Sequence, residues 1–172
     1  MKSNRGFTLL EILVVVLIIG ILVSIVLPQY KKVVEKSKAT QALTLLQSIY
    51  QSAMLYQLTA NDWPTSIDEL SIDVPSDFKQ GGEWTINIQN TSAGVVGVTI
   101  TRNIGQYAGT GFSKYREHPY TFIPKEMNLC FENKRNMTPI FNGEQGSYCS
   151  KIFNGKGVYV GELNWSDVWS LP

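Results

Sequence analysis

Glu11 is the residue whose chemistry most needs explaining. It is the one charge between Phe7 and Leu27, a stretch otherwise apolar apart from Thr8, Gly20 and Ser24. A carboxylate costs about 2.5–3.5 kcal/mol near a bilayer centre and less toward the interface. Such a group either meets a cation or snorkels to the headgroups, and residue types alone leave both open. Cys130 and Cys149 enclose eighteen residues rich in Asn, Gly and Pro. Bonded, they close a loop worth about 3 kcal/mol in the chain-entropy account; the alternative is two free thiols. The remaining chemistry-bearing positions carry less. His118 sits beside Pro119 without the nucleophile spacing of a catalytic motif and reads as a surface residue. Gly105, Gly109 and Gly111 in GQYAGTG lack the lysine and hydroxyl residue of a phosphate-binding loop, so a flexible loop is expected there.

Composition narrows the function classes further. Fifteen basic and fourteen acidic side chains leave a formal net charge of +1, and 17% charged residues is a low share. No strong field attracts nucleic acid, and no nucleic-acid partner is predicted. A single histidine and two cysteines exclude a four-ligand zinc site of the usual kind. Glu162 and Asp167 stand apart without the dense Asp and Asn ligands of a calcium loop. No nucleophile, acid/base pair or metal set emerges, so neither an enzyme nor a cofactor is expected.

The element that positions Glu11 is the apolar run from Ile12 to Leu27, which has no charge and only Gly20 and Ser24 as interruptions. At about 1.5 Å per residue, a helix from Phe7 to Leu27 covers the roughly 30 Å of a bilayer core. The run lacks the polar positions of a soluble amphipathic helix. A secretory signal would place a small-x-small cleavage site after the run. Residues 23–30, VSIVLPQY, offer none, so the run is expected to be kept.

Beyond Pro28 the pattern changes. Ala39, Ala42, Leu43, Leu46, Ile49, Tyr50, Ala53 and Met54 recur at helical spacing, while the lysines fall mostly elsewhere. One helix from about Phe7 to about Leu58 is predicted, its first half apolar all round and its second half amphipathic. Pro28 removes a backbone donor and would bend or loosen the helix near Ser24. Trp84–Gln89 alternates apolar and polar, Asn90–Gly94 is a turn, and Val95–Thr101 is a second strand. Shorter strands are expected at Met127–Phe131 and Val158–Leu163. A small antiparallel sheet packed on the second half of the long helix makes an α+β fold. Tyr107, Tyr115, Tyr120, Trp165 and Trp169 are read as core residues rather than an adhesive surface.

Arg5-Gly6-Phe7-Thr8-Leu9-Leu10-Glu11 followed by the apolar run resembles the start of a type IV prepilin, a pattern shared with the pseudopilins of type II secretion systems. Pro28, Trp63-Pro64-Thr65-Ser66 and Asp68-Glu69-Leu70 also look like pilin features, and the resemblance covers residues 1 to about 70. It implies that prepilin peptidase cuts between Gly6 and Phe7 and methylates the new amine of Phe7. Removing Lys2 and Arg5 leaves thirteen basic and fourteen acidic groups, a net charge of −1. The resemblance also implies that Glu11 meets the amine of a neighbouring subunit, setting register in a homopolymeric filament. The domain division it suggests is 1–6 leader, 7–30 transmembrane and filament-core helix, and 31–172 globular headgroup.

The partners implied are further copies of the chain, prepilin peptidase, an assembly machine in the inner membrane, and lipid before assembly. Counting flanking lysines (Lys31, Lys32, Lys36, Lys38) puts the C-terminal side in the cytoplasm. The resemblance puts it outside, and a disulfide between Cys130 and Cys149, of the kind pilins carry, agrees with the resemblance. A prokaryotic source also removes significance from the glycosylation-like triplets starting at Asn90, Asn136 and Asn164. A structural subunit of a type IV pilus is therefore expected. A type II secretion pseudopilin and a membrane-tethered binding domain are the alternatives.

Overall fold

A computed structural model of the chain describes residues 7–79, 81–105, 107–133, 147–153, 157–163 and 166–171. Two compact units are present, Met1–Lys38 and Ala39–Pro172. Helix α1 runs from Leu9 to Ala60, 52 residues, in agreement with the extent predicted. Asn61 ends it with φ 56°, the left-handed cap position that asparagine tolerates, and its N–H donates to the Gln57 carbonyl at 2.9 Å.

In the first unit the side chains of α1 from Phe7 to Leu27 are exposed all round. The second unit shows the opposite arrangement. Ala39, Ala42, Leu46, Ile49 and Ala53 are fully buried on one stripe of α1, and Tyr50 nearly so. The stripe shares a core with Trp63, Trp84, Val98, Ile100, Phe112, Tyr148 and both cysteines. Lys114 Nζ lies 5.1 Å from the Tyr50 ring centre, a cation–π contact that crosses from the sheet to the helix.

Six antiparallel strands form one sheet: β1 Trp84–Asn90, β2 Val96–Arg102, β3 Thr110–Glu117, β4 Leu129–Asn133, β5 Val158–Leu163 and β6 Ser166–Ser170. Their order is β1-β2-β3-β4-β6-β5, so the last strand of the chain enters between β4 and β5. A short helix, α2 (Ser147–Ile152), precedes β5. The β1–β2 hairpin follows the predicted alternation, with Ile86 opposite Ile100 and Gly94 at φ 80° in the turn. The strand expected at Met127–Phe131 begins two residues later, at Leu129.

Strands β3 and β6 and helix α2 were not anticipated. The helix-facing positions of β3 include Lys114 as well as Phe112, which hides the alternation. The glycine-rich stretch read as a loop supplies the start of β3. A Cβ on Gly111 would come within 2.3 Å of the Ile100 carbonyl and 2.4 Å of the Phe131 ring, so this glycine is there for close strand packing.

Candidate functional site

Thr8 and Glu11 form a reciprocal cap at the start of α1. The Glu11 carboxylate accepts from the Thr8 N–H at 2.8 Å and from the Thr8 hydroxyl at 2.7 Å. The Glu11 N–H in turn donates to Thr8 Oγ1 at 3.3 Å. This is the capping box of a Thr-x-x-Glu sequence, and it satisfies two donors that the first turn would leave open. The reading of Glu11 as a lone charge seeking a partner missed this local role, although Thr8-Leu9-Leu10-Glu11 was there to find. Phe7 lies at the exposed end of the segment, and Gly6 falls outside the described residues.

The surface that follows is apolar in every direction. It is long and apolar enough to cross a membrane, and none of it is buried within the chain. A continuous exposed apolar surface of this size marks contact with lipid or with other protein. α1 runs unbroken through Pro28, which has no N–H to offer the Ser24 carbonyl. The Ser24 hydroxyl donates back to the Ile21 carbonyl at 2.7 Å, a bond that competes with the helix ladder one turn before the proline.

Cys130 and Cys149 are bonded, with their Cα atoms 5.6 Å apart, and tie α2 to β4 beneath the sheet. Both are fully buried, and the Cys149 N–H donates to the Glu132 carboxylate on β4. Register sets Glu132, Asp167 and Glu162 side by side on β4, β6 and β5. Among the described residues, no group of three acidic, histidine or cysteine side chains is arranged to hold a metal ion.

His118 is half-buried rather than on the surface. Its ring sits 4.9 Å from Tyr115 and 5.3 Å from Tyr120, its Nδ1 accepts from the Tyr120 N–H at 3.2 Å, and burial holds its pKa below the ordinary imidazole value. Of the aromatic residues expected in the core, Tyr107 and Tyr115 are buried and Trp169 packs against the main cluster, while Tyr120 is exposed. Trp165 lies outside the described residues, as do Asn136 and Asn164. Arg102 was also overlooked. It is buried between the rings of Trp84 and Tyr107, at 5.3 and 5.1 Å, and pairs with Glu83.

Residues 1–27 match the prokaryotic N-terminal methylation motif. The chain is 27% identical to a fimbrial protein of Neisseria meningitidis over 56% of this chain and 55% of that protein. It is 29% identical to a type IV major pilin protein, PilE1, of Neisseria gonorrhoeae over 56% of this chain and 53% of the other. It is also 34% identical to the type II secretion system core protein G of Vibrio cholerae over 48% of this chain and 61% of the other. The chain thus spans little more than half the length of the curated relatives it matches. No solved structure matches it.

Proposed function

We propose that this chain, which carries the prokaryotic N-terminal methylation motif and is related to type IV pilins, is a structural subunit of a type IV pilus. Its work is packing rather than catalysis. Prepilin peptidase cuts between Gly6 and Phe7 and methylates the Phe7 amine. The segment 7–30 then holds the subunit in the inner membrane, with the globular unit outside. On assembly the apolar side chains exchange lipid for the helices of neighbouring copies, so the apolar surface stays out of water throughout. An assembly machine in the inner membrane drives that transfer.

The observation that carries this reading is Glu11 with its cap, the fifth residue after the cleavage position, at the start of the otherwise uncharged and exposed apolar segment 7–27 of α1. In the filament the carboxylate meets the methylated amine of a neighbouring subunit, a pairing that offsets the cost of keeping a charge in an apolar core. The alternative is a pseudopilin of a type II secretion system, and the similarity to core protein G supports keeping it.

The test is the mass and N-terminus of protein recovered from sheared surface material, compared with the Glu11→Ala variant. The pilin reading expects a chain beginning at N-methylated Phe7, with the variant processed normally but missing from the sheared fraction. A processed chain that stays with the membrane in the wild type favours the pseudopilin. An intact Met1 overturns both.

A further inference from the structure

The sheet face turned away from the α1 stripe carries a cavity of about 230 Å³. Strand register builds its floor, since Asn87, Thr99 and Ser113 lie abreast on β1, β2 and β3. Its wall is apolar and aromatic, formed by Tyr115, Ile123 and Phe131, and among the described residues none that lines it is charged. Two floor hydroxyls are deeply placed, with Thr99 only 6% and Ser113 only 2% exposed. Gln89 Nε2 donates to Thr99 Oγ1 at 3.2 Å, which leaves the Thr99 hydroxyl proton to donate elsewhere. The Ser113 hydroxyl has no hydrogen-bond partner among the described residues. Solvent reaches this oxygen, which leaves it open to bond a polar ligand group entering the cavity.

The wall residue Tyr115 leads to a second feature. From Tyr115 an aromatic run continues through His118 and Tyr120 to Phe122, and the last two rings stack at 5.6 Å and are exposed. Hydroxyl and amide groups below, ring faces at the side and no charge among the described lining residues select a neutral, polyhydroxylated ligand with C–H faces. The slightly positive C–H bonds of a sugar ring suit the negative face of an aromatic ring. A nucleic acid would need cations at the cavity, and the described lining residues supply none.

We propose that this cavity binds a neutral pyranose through Asn87, Thr99 and Ser113, with Tyr120 and Phe122 carrying a second sugar ring beside it. The proposal stands apart from the filament reading and holds for pilin and pseudopilin alike. Neutral sugars of this kind occur both in cell-wall polymers and in surface glycans, and the probes separate the two sources.

The test titrates the full chain, nitrogen-labelled and held in zwitterionic micelles, with chitobiose and with lactose while its amide resonances are followed. N-acetylneuraminic acid and oligothymidylate serve as charged probes. At least one neutral disaccharide is expected to bind with millimolar affinity and to shift resonances of β1–β3 and of residues 118–123. Preference for chitobiose points to an acetamido sugar of cell-wall type, and preference for lactose to a surface glycan. Asn87→Ala, at an exposed position that leaves the fold intact, and Ser113→Ala should each weaken binding about tenfold, as expected for one lost hydrogen bond. The proposal is overturned if neither disaccharide shifts these resonances. It is equally overturned if both substitutions leave affinity unchanged, or if a charged probe binds more tightly than both neutral sugars.

Discussion

At the scale of single residues, Glu11 has two separable roles, closing the first turn of α1 with Thr8 and carrying a negative charge. Glutamine closes a capping box as glutamate does, so Glu11→Gln keeps the cap and removes the charge. On the filament reading it is processed normally, yet its yield in the sheared fraction falls at least about tenfold; an unchanged yield would assign Glu11 to capping alone. Thr8→Val does the reverse. It costs about 1 kcal/mol of helix start, and faster amide exchange over the first turn reports it. His118 sets a pH dependence of known sign. Its folded pKa lies below the ordinary value because burial disfavours the imidazolium, so the unfolded chain binds the proton more readily. Stability contributed at neutral pH is lost as pH falls from the unfolded value near 6.5 toward the folded one. Denaturant midpoints at pH 7 and pH 5 should differ by less in His118→Gln than in the wild type.

At the scale of elements, α1 answers to two different environments along one continuous helix. The Ala39–Ala53 stripe is matched to the sheet. Leu46→Ala opens a cavity at a fully buried position and should lower unfolding free energy by about 2–5 kcal/mol, read from denaturant curves. Around Pro28 the helix lacks one ladder bond, and the Ser24 hydroxyl competes for another carbonyl one turn earlier. On the filament reading, this is where the helix is expected to bend or loosen as the subunit passes from lipid to filament. Pro28→Ala restores the donor and should slow amide exchange at residues 24–28. Unchanged exchange would remove Pro28 from that role.

At the scale of the whole molecule, the disulfide fastens the late part of the chain. It joins α2 to β4, next to β6, the strand that the chain inserts between β4 and β5. Replacing both cysteines with serine should cost about 2–5 kcal/mol and be seen as an earlier thermal transition of the globular unit. Removal of the link also loosens the placement of the Cys149 N–H against buried Glu132, so limited proteolysis should cut first between β4 and β5.

What could be read without coordinates was whatever rests on local periodicity. The span of α1 follows from an uninterrupted apolar run joined to a three-and-four-residue stripe, and the β1–β2 hairpin from strict alternation around a glycine turn. Glu11 itself stood out as a charge in an apolar run, and its cap with Thr8 was equally local, although overlooked. Tertiary structure decided the rest. The helix-facing row of β3 carries Lys114, which is accommodated only because the Tyr50 ring lies across from it. Arg102 is buried in a strand because Trp84, Tyr107 and Glu83 converge on it. The order β4-β6-β5 and the cavity over Ser113 draw on strands far apart in the chain. Pairings of that kind leave no period in the sequence, because each depends on which distant segment arrives beside it.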